Sequence, residues 1–202
     1  MNQEKKASRG RPTKFDRNHV LDIAQQSYWK FGINQVSINE LCKLAGVSKP
    51  GIYREFGNED GLMHAVLESY HKTILSPMLS FLSLDAPFRD TLQNLALHST
   101  SDDEASGMPK GCLFANMKES RLSLGESTVE QIDKTYENVI KAFEQWVDAA
   151  KEKGEFQTMD MDSRFAAVYI YAQISFAQLQ MMKGETSKDV RAILQVALSA
   201  LR

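Results

Sequence analysis

Cysteine is nearly absent from this sequence: Cys42 and Cys112 are the only two, and they lie far apart, without metal-ligand spacing. That scarcity excludes a disulfide scaffold and points to a reducing, cytoplasmic setting. No apolar run approaches the roughly 20 residues that a membrane helix needs. The polar, basic stretch Met1 to Lys14 has no apolar core behind it, which reads against a secretory signal. No segment alternates apolar and polar residues as a half-buried strand would. Histidines are few and scattered: His64 and His71 lie seven apart, and His98 precedes Asp102, Asp103 and Glu104. None has the close His/carboxylate spacing of a metal site, and no nucleophile stands beside a base and an orienting partner. The expectation is a protein that is not an enzyme and needs no metal or cofactor.

What is present is a globular composition, 43% hydrophobic and 25% charged over 202 residues, enough for a sizeable core and one or two domains. The net charge of −2 conceals an asymmetry. Through Phe56 there are ten Lys and Arg against five Asp and Glu, a local net of +5, while the remainder carries 14 against 21, a net of −7. A basic head on an acidic body suits a polyanionic partner, although polarised surfaces also arise without one.

Helical periodicity runs through nearly the whole chain. Val20, Leu21, Ala24, Tyr28 and Phe31 form one stripe, which Gly32 stops. Ser37-Ile38-Asn39-Glu40 has the form of a capping box. The short helix it opens carries Ile38, Leu41, Cys42 and Ala45 and ends at Gly46. Ser48 is placed to cap the next helix, with Pro50 in the first turn, where a missing amide is tolerated. Gly57-Asn58 marks another turn and cap, followed by a helix running towards Pro77. A further helix follows Pro87, and Ser99 to Lys110 reads as a polar loop. Val129, Ile132, Tyr136, Val139, Phe143, Trp146 and Ala150 make a long stripe ending near Gly154. From Phe165 to Met182 the pattern is apolar on nearly every side, which predicts a helix buried on both faces. Val190, Ile193, Leu194, Ala197, Leu198 and Leu201 form a terminal stripe. This last pair fits either a core helix with another docked on it or a subunit interface.

The segment Ser37 to Phe56 fits a helix-turn-helix, with Leu41, Ala45, Val47 and Ile52 locking two short helices around Gly46-Val47-Ser48. Lys49, Gly51, Tyr53 and Arg54 are expected on the outside of the second helix, whose free amides suit phosphate. A helical hairpin inside any all-helical protein would show the same pattern. The run Gly46-Val47-Ser48-Lys49-Pro50-Gly51-Ile52-Tyr53-Arg54-Glu55-Phe56, with Phe31-Gly32, Val36-Ser37-Ile38 and Leu62 to Val66, resembles the DNA-binding domain of TetR/AcrR-type regulators. The likeness spans His19 to Ala65, about a quarter of the chain.

The resemblance implies an all-α protein with three parts. These are a flexible basic arm (1–14), a three-helix DNA-binding domain (15–61) and a helical ligand-binding and dimerisation domain (62–202). It implies a homodimer through the last two helices, most often a repressor, bound to a palindromic double-stranded operator and released by a small molecule. By the same resemblance Ser37 and Tyr53 meet the DNA backbone, Lys49 opens the recognition helix beside Pro50, and Arg54 reaches phosphate or a base edge. Two positions depart from the family pattern. Gly51 stands where Thr is frequent, and Glu59 stands where Lys is frequent and would repel phosphate. These departures leave a second reading open, a helical binding or adaptor protein that no longer binds DNA.

For the effector, Phe81, Phe88, Phe114, Met117, Tyr136, Phe143, Trp146 and Tyr169 are candidates to line a pocket for an apolar, aromatic or electrophilic molecule. The same residues at such spacings also make an ordinary core. Cys112 follows Lys110-Gly111 at the expected start of a helix. A helix N-terminus and a nearby ammonium favour thiolate, making it a candidate redox or electrophile sensor, while a buried, inert thiol is the competing expectation. Some regulators of the resembled class use cysteine in this way.

The arm carries Lys5, Lys6, Arg9, Arg11 and Lys14 around Gly10-Arg11-Pro12, and Arg11 is the residue expected to enter a minor groove. Deleting the residues before Thr13 is expected to weaken operator binding and flatten its salt dependence. An unchanged salt slope would dismiss the arm.

Overall fold

Local capping chemistry sets the first four helices of the computed structural model, which describes residues 15–82, 85–102, 107–156 and 161–201. Helix α1 (Arg17–Phe31) is opened by Asp16, whose carboxylate accepts from the amides of Asn18 and His19 at 3.1 Å each. Helix α2 (Ile38–Ala45) starts with the expected box: the Glu40 amide donates to Ser37 Oγ, and the Ser37 amide and hydroxyl both donate to Glu40 Oε2 at 2.9 Å. It ends on Gly46 at φ 65, a left-handed position that favours glycine. Ser48 caps α3 (Lys49–Phe56), its Oγ accepting from the Gly51 amide at 3.2 Å. Asn58 does the same for α4 (Glu59–Tyr70) through the Gly61 amide at 2.8 Å.

These helices enclose one apolar core. Val20, Ala24 and Tyr28 of α1, Leu41 of α2, Ile52 of α3 and Leu62 and Val66 of α4 are all fully buried. Each such aliphatic side chain contributes about 1.5–3 kcal/mol by leaving water. Phe31 departs from the predicted stripe: it is 57% exposed, because the helix ends there and its side chain falls beyond the packed face.

Helix α4 continues through a wider π turn, His71–Leu75, into α5 (Ser76–Ser80). Pro77 lies just beyond that turn; it has no amide to donate to the turn before it. The remaining helices are α6 (Phe88–Ser99), α7 (Leu113–Glu119), α8 (Glu126–Glu152), α9 (Ser163–Met182) and α10 (Ser187–Leu198). Short 3-10 turns lie at Ile33–Gln35 and Arg121–Ser123. At 27 residues α8 spans about 40 Å. It packs against α4 on one side and α9 on another, while α10 lies against α9 and α6. Distant groups cap α6. The Phe88 amide donates to Glu155 at 2.7 Å, and Arg191 donates to the Thr100 carbonyl at 3.1 Å.

Helix α9 is a correction to the expectation of burial on both faces. Ala166, Ala167, Ile170, Ile174, Ala177 and Met181 face the core, but Phe165 and Phe176 are about half exposed. Beside them α10 exposes Ile193 and Val196. The apolar pattern around α9 thus has an uncovered side within one chain.

The head meets the body through Asp60, in the first turn of α4. Its carboxylate accepts from the amides of Ser127 at 3.0 Å and Thr128 at 3.1 Å, the orphan donors at the start of α8, and from the Thr128 hydroxyl. The Thr128 hydroxyl also lies 3.0 Å from the Asp60 carbonyl, and His64 Nδ1 lies 2.9 Å from the Ser127 carbonyl. Gly125 is required here, since a Cβ would collide with the Asp60 carboxylate. Burial alone would push the Asp60 carboxyl upward, but the Thr128 hydroxyl and the two amides outweigh it and hold the group below its ordinary range.

Asp60→Ala is expected to cost about 2–3 kcal/mol, because it removes a charged acceptor and strands Thr128. A carboxyl held low stabilises the fold at pH values above its unfolded value of about 4, and that contribution disappears as pH falls through the folded value. Asp60→Asn should flatten the acid limb of the stability curve, measured by thermal melting from neutral pH downward.

Candidate nucleic-acid interface and effector cavity

The outer surface of the head carries the residues expected to meet DNA. Ser37, Lys49, Pro50 and Arg54 are exposed, and Tyr53 is half-buried. Leu41, Ala45 and Ile52 are buried and Val47 packs against them, so the two short helices are locked as the motif requires. Ser37 has its hydroxyl turned to Glu40, so a phosphate would share it with the capping box. Gly51 is a correction: it is buried, not outward. A Cβ there would stand 3.3 Å from Ser48 Oγ and 3.5 Å from the Phe15 ring, so the position faces Phe15 and not a groove. Arg11 and the rest of the arm lie outside the described residues.

Glu59 does more than the sequence suggests. Its Oε1 accepts from the Tyr53 hydroxyl at 2.8 Å and lies 3.7 Å from Lys49 Nζ. Lys49 Nζ in turn sits 5.2 Å from the centre of the Tyr53 ring. Tyr53, first, and Glu59 raise the Lys49 ammonium above its ordinary value.

A cavity of about 740 Å³ lies below the head, within the range of small-molecule sites. Its wall is shared between head and body: Trp29 comes from α1, Tyr70 from α4, Thr73 from the π turn, Asn94 and His98 from α6, and Cys112 from the start of α7. None of Phe88, Phe114, Met117, Tyr136, Phe143, Trp146 and Tyr169 lines it. They build the packing beneath and beside it. Phe88 stacks on Trp146 at 4.3 Å between ring centres, Phe143 and Met117 are buried, and Tyr136 meets Tyr171 edge-on at 5.1 Å. The Phe114 ring lies near Tyr171, and the Tyr169 hydroxyl donates to the Ala197 carbonyl at 2.8 Å. Phe81 alone of the aromatic candidates reaches the cavity, and it is 76% exposed at the mouth. The liners that sequence reasoning missed include Trp29, Tyr70 and Met78 as well as polar residues, of which Asn94 and His98 are exposed and Thr91 and Gln178 are buried. Thr91 and Gln178, polar residues on buried helix faces, were the available signal.

Cys112 is buried on this wall, and the Tyr70 hydroxyl donates to its Sγ at 3.4 Å. Burial is the largest influence and pushes the thiol up, against smaller downward pulls from Tyr70 and the amides of Ala115 and Phe114. The expected ammonium is engaged elsewhere, since Lys110 pairs with Asp102 at 2.6 Å. The thiol is therefore protonated in this state, contrary to the thiolate that its helix-start position suggested.

Residues 20–66 match the model of bacterial regulatory proteins of the tetR family. The HTH-type transcriptional repressor ComR of Escherichia coli (strain K12) is 32% identical over 141 residues, covering 62% of this chain and 67% of that protein. The chain belongs to the TetR family. It is a DNA-binding transcription regulator whose helix-turn-helix is formed by α2 and α3. A second relative, the repressor BdcR of the same organism, is 29% identical over 111 residues, covering 54% of this chain and about half of that protein (56%). Among solved structures, the reduced form of E. coli NemR superposes with a TM-score of 0.78 at 20% identity, over 92% of this chain and 97% of NemR. CifR, a TetR family regulator solved as a cysteine mutant with a 26-base-pair operator, gives 0.75 at 20% identity, over 96% of this chain and all of CifR (100%). These likenesses establish an all-α fold with an N-terminal helix-turn-helix and a C-terminal helical domain. Among the described residues no helix is long and apolar enough to cross a membrane, and no group of three or more His, Cys, Asp or Glu is arranged to hold a metal.

Lys49→Ala is expected to weaken binding to every DNA sequence to a similar degree and to reduce the slope of log K against log salt by about 0.9, one phosphate contact. Fluorescence anisotropy across a salt series checks this.

Proposed function

We propose that the protein is a ligand-responsive repressor that binds a palindromic operator as a homodimer and is released by a small molecule in the 740 Å³ cavity. Residues 15–61 act as the DNA-binding head, and 62–202 as the ligand-binding and dimerisation body. The observation that carries this reading is the shared wall of the cavity: Trp29 belongs to α1 of the head, and Tyr70 to the helix that links head and body. A ligand there that favours one placement of α1 and α4 over another alters the separation of two recognition helices. Coupling of this kind is typically worth about 1–3 kcal/mol. In a dimer those helices would enter major grooves one DNA turn or more apart, roughly 34–36 Å or greater.

Dimerisation through α9 and α10 is supported by the exposed Phe165, Phe176, Ile193 and Val196, which form an apolar face of the kind that pairs as a four-helix bundle. The aromatic and apolar parts of the cavity wall, with Trp29, Tyr70 and Met78, favour an apolar or aromatic effector. A second route to release, covalent capture of an electrophile by Cys112, is favoured by one observation: the thiol lies on the cavity wall. A ligand would reach it through the cavity.

A gel shift with DNA flanking the protein's own gene, at low salt, tests the reading. A shifted band that a screened effector dissolves supports it, and failure to shift favours the adaptor reading. Sedimentation should give a dimer, and Phe176→Glu with Val196→Glu should give monomers. Cys112→Ser is expected to abolish release by a quinone. A variant that still responds would eliminate the covalent route.

A further inference from the structure

Three side chains from two helices, the exposed Lys49 and Glu59 and the half-buried Tyr53, meet on the outer side of the head: Lys49 opens α3, Tyr53 lies one turn on, and Glu59 opens α4. The Glu59 carboxylate takes the Tyr53 hydroxyl at 2.8 Å and stands 3.7 Å from the Lys49 ammonium. An O–H donor and an ammonium converging on one anionic oxygen is the arrangement a DNA phosphate would use with the same two residues. Glu59 is thus an internal counter-anion in the place of a phosphate oxygen. It is not needed as the helix cap, which Asn58 provides, nor for the joint to α8, which Asp60 provides.

A phosphate that engages Lys49 and Tyr53 must displace Glu59, and the displaced carboxylate stays on α4 within the field of the backbone. That cost is the same for every sequence. It therefore lowers the affinity for every duplex by a similar factor and leaves the choice between sequences to base-edge contacts. A duplex that also supplies base-edge contacts to α3 keeps those in full.

We propose that Glu59 is an affinity-limiting residue of the DNA-binding head: by occupying Lys49 and Tyr53 it competes with the DNA backbone and weakens binding to every duplex, so that stable binding is reached only where base contacts add to it. The inference rests on the DNA-binding reading above.

The test uses the full chain and two labelled duplexes, one of random sequence and one selected from a random pool for tight binding to the wild type. Affinities are read by fluorescence anisotropy across a salt series. Glu59→Gln keeps an acceptor for Tyr53 and removes the charge, and Glu59→Lys goes further in the same direction. Glu185→Gln removes one charge on the exposed turn after α9 as a control, and melting curves verify folding. Glu59→Gln is expected to tighten random-sequence binding about tenfold and steepen its salt slope by about 0.9, as one additional phosphate contact would. The selected duplex should tighten by a similar factor, so that the ratio of the two affinities is kept, while Glu185→Gln leaves both affinities unchanged. If Glu59→Gln leaves both affinities and both salt slopes unmoved, the proposal is overturned. A wild type that binds neither duplex, and yields none from the pool, overturns the DNA-binding reading itself, a result separate from unmoved affinities.

Discussion

The joint between Asp60 and the first turn of α8 is the constraint on which the rest of the molecule depends. A helix N-terminus presents amides with no partner inside the helix, and α8 begins at Gly125 without a side-chain cap of its own. The missing acceptor comes from 67 residues upstream. One carboxylate therefore completes a helix of the body while standing in the first turn of a helix that packs into the head. The head and the 27-residue α8 cannot move apart without exposing those amides. Any change in head placement has to carry the start of α8 with it or break the cluster.

Much of the head was legible in the sequence, because its determinants are local. The Ser37 to Glu40 box, Ser48, Pro50 and Asn58 act over three or four residues, and each appears where its pattern places it. The joint was not legible for the opposite reason. Glu59 and Asp60 are neighbouring acids in the first turn of α4, where either complements the dipole. Only the fold separates them, turning Asp60 to α8 and Glu59 to α3. Gly51 failed similarly: nothing in its neighbourhood reveals that Phe15 covers it.

The cavity shows a different limit. A stripe of aromatic residues at helical spacing says that a face is buried, not whether a helix or a void lies opposite. Phe88, Phe143 and Trp146 are large enough to fill space, and they did so in the core, Phe88 stacked on Trp146 and Phe143 tilted against it. The space left open is walled by Trp29, Tyr70 and Met78 together with smaller polar side chains such as Thr73, Thr91 and Asn94. Interiors are close-packed, so which bulky residues fill space and which line a void is set by how the helices are placed. Apolar bulk alone was therefore a poor guide to the site.

Position rather than chemistry decides what Cys112 and Glu59 can do. A thiol at a helix start is nominally activated, yet enclosure beside Tyr70 keeps it protonated. An acid on a DNA-binding face is nominally a defect, yet held between Tyr53 and Lys49 it places those two donors in one cluster before DNA arrives. The carboxylate repels the backbone, but it also keeps the donors from being spent on solvent in random orientations. In free-energy terms both the repulsion and the preorganisation act on every duplex, because every duplex brings phosphates. Discrimination by a regulator is a difference between two binding free energies, so a residue held in this way bears on how tightly DNA is held, and base-edge contacts on which DNA is held.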